Sequence, residues 1–197
     1  MHNLPTIKEH ILKKLQEGLP SFLTYHNVAH TLDVLEQAVV IATESGLTNE
    51  EDRLLLQVGA LYHDTGFISA YNGHEEKSCS IAEQELPHFG FSADQISKVC
   101  GMIRATKIPQ SPNNLLEEII CDADLDYLGR PDFYSIGEGL YQEFLHQKVV
   151  ANELQWNQLQ VKFLENHKYF TQSVKQKREP VKQQHLEEVK QKVALVG

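Results

Sequence analysis

No two cysteines in this sequence are close enough to form a C-x-x-C pair. The three present, Cys79, Cys100 and Cys121, are widely spaced, and each falls inside an apolar pattern. This excludes a zinc ribbon and a redox dithiol, and it offers no disulfide framework. The expectation is three small buried thiols in a reducing compartment. Long hydrophobic runs are missing too: nothing approaches the ~20 apolar residues of a membrane span. Met1 to Pro20 carries charges throughout and no apolar signal region. A soluble cytoplasmic protein with no membrane partner is expected. Basic residues are few, 18 Lys and Arg against 27 Asp and Glu, for a formal charge of −9. A general nucleic-acid binder would carry a basic patch, so no nucleic-acid partner is expected. Period-two strand patterns, internal repeats and low-complexity tracts are also absent.

What remains is an all-α pattern. With 197 residues, 41% of them hydrophobic, the chain can build one domain with a sizeable core. Helical spacing predicts helices over residues 5–17, from 21 or 24 to 45, from about 48 to 64, 74–86, 92 to 106 or 107, 113–128, 133–149 and 152–176. Pro180 marks either a break or the first turn of a last helix over 181–194. Residues 1–160 hold 10 Lys and Arg against 23 acidic residues, whereas residues 161–197 hold 8 against 4. The division expected is a helical domain over 1–176, with its core at about 21–130, and a basic helical tail over 177–197. That tail is a solvated amphipathic helix or a partner-binding arm, so a homo-oligomer is compatible with it.

Three segments carry residues suited to chemistry. Tyr25-His26-Asn27-Val28-Ala29-His30 places two histidines four apart on one helix face. Leu61-Tyr62-His63-Asp64-Thr65-Gly66 ends an apolar run in an adjacent histidine and aspartate. Cys121-Asp122-Ala123-Asp124-Leu125-Asp126 supplies three aspartates. Imidazole nitrogen and carboxylate oxygen together suit first-row divalent metals, while Mg²⁺ prefers oxygen. Taken alone, His63 and Asp64 read as a helix-end histidine beside a capping carboxylate; all three segments together point to a metal site.

The order His30, His63-Asp64, Asp124 resembles the HD-domain superfamily of metal-dependent phosphohydrolases, which are all-α. The resemblance covers about residues 21–130. It implies that His30, His63, Asp64 and Asp124 ligate a divalent ion (Mn, Mg, Fe, Ni or Zn), with one ion tightly held and a weaker second one open. Asp124 is favoured over its neighbours because the family's last aspartate typically follows alanine. Asp122 and Asp126, on another face, are fallback ligands or groups behind the ligands. The first segment, extended to Asp33-Val34, is similar to the first signature of class I cyclic-nucleotide phosphodiesterases. There the first histidine protonates the leaving oxygen, which would make His26 the general acid. That branch continues after its His-Asp pair with a further Asp and His, where this chain has Thr65-Gly66-Phe67, and its nucleotide-clamping region has no counterpart here. The whole chain looks more like small bacterial HD-domain proteins, whose pattern includes the stretches at 72–75, 104–106 and 124–130.

By this resemblance the protein hydrolyses a phosphate ester of a nucleotide-like metabolite with metal-activated water, Asp64 orienting that water. His74 is a candidate phosphate donor or ligand of a second ion. Lys77, Arg104, Lys107 and Arg130 are the candidate phosphate clamps. Two other classes compete: a metal-containing module that senses a nucleotide without cleaving it, and a helical adaptor that binds no metal.

Overall fold

The computed structural model describes residues 3–196. Among these residues there are nine α-helices and no strand. They are α1 (Leu4–Gly18), α2 (Val28–Glu44), α3 (Glu50–Tyr62), α4 (His74–Glu85), α5 (Ala93–Ala105), α6 (Leu115–Asp124), α7 (Phe133–His146), α8 (Glu153–Asn166) and α9 (Gln172–Val196). Tight 3-10 turns at Thr65–Ile68, Leu86–Phe89 and Asp126–Gly129 complete the path. The all-α expectation therefore holds, and no described helix is long and apolar enough to cross a membrane.

The molecule is arranged around α3. Leu55, Leu56, Val58, Ala60, Leu61 and Tyr62 are all fully buried, as expected of a helix apolar around most of its circumference. It touches α1, α2, α4, α5 and α6. Its start is set by Asn49, whose side chain accepts from the Asp52 N–H, with Glu50, Glu51 and Asp52 favourably placed in the first turn. Cys79, Cys100 and Cys121 are buried free thiols.

Several helix limits differ from those the spacing predicts, each for a local reason. Helix α2 begins at Val28 because the Asn27 side chain takes the N–H groups of Ala29 and His30. Helix α6 stops at Asp124, and the chain tightens into the 126–129 turn against α9. A Cβ on Gly129 would lie 2.4 Å from the Arg178 carbonyl oxygen, so only glycine allows that approach. Helix 152–176 is interrupted at 167–171, and α9 then runs unbroken through Pro180. The break falls where Asp122 accepts from Phe170 N, Thr171 N and Thr171 Oγ1 at 2.8, 2.7 and 2.7 Å. Beyond it, Val174, Leu186 and Val189 are buried in the core, and Arg178 grips Asp126 through two bonds of 2.8 and 2.9 Å. That packing outweighs the single backbone bond Pro180 removes.

Asp122 thus ties α6 to the head of α9, and burial pushes its carboxyl up to about 6 despite the three donors. Asp122→Ala would leave buried N–H groups without partners. The expected loss is about 3 kcal/mol in urea denaturation, with metal stoichiometry unchanged in the protein that remains folded. Loss of metal without loss of stability would instead make Asp122 a ligand.

Candidate metal centre and adjoining cavity

Helix α3 ends at Tyr62, and the chain turns at His63 and Asp64 into the 65–68 turn. Adjacent residues within a helix diverge by about 100°, but here the chain leaves the helix between them. His63 Nε2 and Asp64 Oδ2 therefore come within 3.2 Å. The helix end is held from two sides. Thr65 Oγ1 donates to the Tyr62 carbonyl at 2.8 Å. Ser78 Oγ, from α4, donates to the His63 carbonyl at 2.7 Å and accepts the Gly66 N–H at 2.8 Å. Groups that a helix end would leave unpaired are satisfied in this way. A Cβ on Gly66 would lie 1.9 Å from the His74 carbonyl oxygen, so the glycine is what lets α4 start here.

His30 comes from the first turn of α2, and Asp124 is the last residue of α6. One ligand atom from each of His30, His63 and Asp124 lies within 4.8 Å of the others. His30 Nε2 is 3.2 Å from Asp124 Oδ1 and 3.4 Å from Asp64 Oδ2, and His63 Nε2 is 3.6 Å from Asp124 Oδ1. The two imidazole Nε2 atoms face one another at 3.4 Å. His63 Nδ1 lies 2.8 Å from the Ala60 carbonyl. A carbonyl only accepts, so Nδ1 carries the hydrogen and Nε2 of the neutral ring presents its lone pair to the cluster.

This donor set fits a divalent cation. Two nitrogen atoms and two carboxylates converge, and only positive charge between them relieves their repulsion. Asp64 Oδ2 is the clearest sign: it is buried and close to both rings, yet it has no properly directed hydrogen bond. The nitrogen ligands favour a first-row transition metal over Mg²⁺. His63 and Asp124 also sit at helix C-terminal ends, where the negative end of the helix dipole favours a cation.

In the metal-free protein, protons take the cation's place. Burial opposes charge on His30, but the Asp124 and Asp64 carboxylates outweigh it and raise its pKa to about 9. His63 is raised well above its ordinary value against the same burial, with Asp64 the strongest support. Asp124 is pulled down to about 2 by the two imidazoles, although burial works the other way.

His26 stands beside this cluster. Its Nδ1 lies 2.7 Å from Glu143 Oε2, and its backbone N–H donates to Glu143 Oε1 at 2.7 Å. Glu143, on α7, is fully buried. A carboxylate facing Nδ1 keeps a proton on that nitrogen and fixes the ring. The ring also stacks on Phe67 at 4.2 Å, and Phe67 stacks on His74 at 3.9 Å. His74 Nε2 lies 3.4 Å from Asp64 Oδ1, with Glu75 buried next to it.

His26, Asp64, His74 and Asp124 all open into one cavity of about 400 Å³, whose far walls are helices α7 and α8. The predicted cationic clamps are placed elsewhere. Lys77 and Lys107 are exposed and line no part of this cavity. Arg104 is bound to Glu76 through three bonds of 2.9 to 3.2 Å. Arg130 is held by Asp33 and Asp132 and faces a separate cleft behind His30. Asp122 points to the head of α9. Sequence reasoning marked Gly66 only as a helix stop and gave no role to Glu143, Phe67 or Ser78. Glu143 had a signal: a carboxylate one turn past Leu140, on the inward stripe of an amphipathic helix.

Metal uptake should carry the mark of the displaced protons. Because the His30 and His63 pKa values are raised in the metal-free protein, binding at pH 7 should release protons, and affinity should rise with pH until about 9. Calorimetry in two buffers of different ionisation heat checks this. Binding that strengthens as pH falls would contradict it, and His63→Ala should abolish stoichiometric uptake.

The HD domain family model matches residues 27–126, which span His30, His63, Asp64 and Asp124. No curated protein matches the chain. A crystal structure of a predicted HD superfamily hydrolase from an uncultured Thermotogales bacterium resembles this fold with a TM-score of 0.62. The match covers 96% of this chain and 92% of that one, at 21% sequence identity. With the family match spanning half the sequence and containing all four converging side chains, the chain belongs to the HD-domain family.

Proposed function

We propose that the protein is a metal-dependent phosphohydrolase, with His30, His63, Asp64 and Asp124 holding the ion and His26 supplying a proton to the leaving oxygen. The observation that carries this reading is His26, held by the buried Glu143 and opening into the same cavity as Asp64 and Asp124. A sensing module would need the ligands, but it would have no use for a histidine held by a buried carboxylate at the cluster's edge.

A divalent ion at these ligands supplies Lewis-acid chemistry: it acidifies a water and offsets negative charge on a phosphoryl oxygen. The chain's own residues do the rest. Asp64, whose carboxylate also borders the cavity, accepts from the attacking water and aligns it. The water oxygen bonds to phosphorus while the bond to the leaving oxygen breaks. One water proton passes by way of Asp64 to solvent. His26 gives its Nε2 proton to the leaving oxygen and later recovers one from solvent. Glu143 keeps the Nδ1 proton in place throughout, so that Nε2 is the nitrogen that exchanges. His74, braced by Phe67, can donate to a phosphoryl oxygen from the other side.

The test uses manganese-loaded protein and two phosphate esters, one with a good leaving group (p-nitrophenol) and one with a simple alcohol. His26→Ala should cut turnover of the alcohol ester by about 10²- to 10⁴-fold but affect the p-nitrophenyl ester far less, because that group departs without a proton. Glu143→Gln should lower turnover by roughly 10- to 100-fold with metal content unchanged. An equal loss for both esters in His26→Ala would remove His26 from the acid role. Metal-loaded protein that cleaves neither ester would favour a sensing module.

A further inference from the structure

The cavity beside the metal ligands is apolar, and no lysine or arginine lines it. Its far walls are Leu140, Phe144, Trp156, Leu159 and Phe163, from α7 and α8. Away from His26, His74 and the ligands, its polar side chains are Glu75, Thr106, Gln160 and the tyrosines Tyr25 and Tyr127, set among a majority of apolar ones. At its rim, Ile108 and Val149 are each 51% exposed, so the apolar lining continues out to solvent. The volume of about 400 Å³ falls in the range of small-molecule sites.

We infer that the substrate of this site is a phosphate ester with a single phosphoryl group and a bulky, apolar organic part, rather than a nucleoside polyphosphate. The inference rests on the phosphohydrolase reading above and narrows it. Charge points this way first. The cavity's acidic side chains are Asp64, Asp124 and Glu75, and the cations nearest in sequence are exposed or bound to carboxylates outside it. One phosphoryl group at the ligands can be neutralised by the ion, His26 and His74. A second phosphate would lie among aromatic and aliphatic side chains, stripped of water and with no cation to meet it.

Geometry points the same way. The ester oxygen has to leave toward His26, which opens into the same cavity as the α7 and α8 walls. The organic group is therefore delivered against Phe144, Trp156 and their neighbours, where water is replaced by apolar contact. These walls come from residues 133–164, outside the 27–126 stretch that matches the family. Selectivity thus rests on helices α7 and α8, outside the family-matched stretch. This narrows the nucleotide-like expectation drawn from the sequence by setting nucleoside polyphosphates aside.

The test compares methyl, butyl, hexyl and naphthyl phosphates with a nucleoside monophosphate and triphosphate as substrates of the manganese-loaded protein. In parallel, calorimetry measures binding of the matching alkylphosphonates, which are not cleaved. Turnover efficiency and phosphonate affinity should both rise by roughly fourfold per methylene until the cavity is filled. The nucleoside triphosphate should be at least 100-fold poorer than the hexyl ester. Val149→Lys, a change at the exposed rim, should weaken hexylphosphonate binding several-fold while sparing methylphosphonate. Preferential cleavage of the nucleoside triphosphate would overturn the inference and leave the phosphohydrolase reading standing. Chain-length-dependent phosphonate binding with no ester cleaved would support the apolar cavity and overturn the phosphohydrolase reading. Phosphonate affinity that does not change with chain length would overturn the inference whatever the turnover.

Discussion

Two imidazole nitrogens face each other at 3.4 Å between two carboxylates, in a place largely closed to water. In the protein itself only protons on the imidazoles offset that crowding, and the donor set fits a divalent cation in their place. The surrounding fold can be understood as the means of holding this costly arrangement in register. The apolar α3 fixes His63 and Asp64 at its end, capped by Thr65 and by Ser78 from α4. Asn27 sets the start of α2, and so the height of His30. Helix α6 terminates on Asp124, with Asp122 behind it tied to the head of α9. Each ligand lies at or near a helix terminus, where a change of one residue in length would move it by about 1.5 Å.

The ligands and the cavity have separate origins in the chain. Residues 27–126, which match the HD domain, contribute His30, His63, Asp64 and Asp124. Helices α7 and α8 lie beyond that stretch; they add Glu143 behind His26 and the aromatic walls opposite the ligands. The proposed metal ligands therefore fall in the family-matched stretch, while Glu143 behind His26 and the shape of the pocket depend on these two later helices. Phe67 braces the rim of the site, since it stacks on both His26 and His74.

Much of this was readable from residues alone, and the part that was not has a physical pattern. The helical class followed from apolar spacing, and the four side chains that converge, His30, His63, Asp64 and Asp124, are those that three short motifs named in order. Contacts between segments distant in sequence were not readable. Glu143 is 117 residues from His26, and Asp122 is 49 from Thr171. No local signal records such pairings, beyond an acidic residue on an apolar stripe. Helix limits failed for the same reason: Pro180 was read as a break or as the first turn of a last helix, but burial of Val174, Leu186 and Val189 carries one helix past it. Arg104 and Arg130 were read as phosphate clamps from type and position, and their carboxylate partners, Glu76 and Asp33, come from other helices.

Whether four side chains from three segments hold one divalent cation is addressed most directly by anomalous diffraction from crystals soaked in manganese at pH 8. One strong peak is expected within coordination distance of His30 Nε2, His63 Nε2, Asp64 and Asp124, and it should be lost in His63→Ala crystals. A peak at other residues, or no peak in crystals that diffract well at that pH, would contradict the assignment.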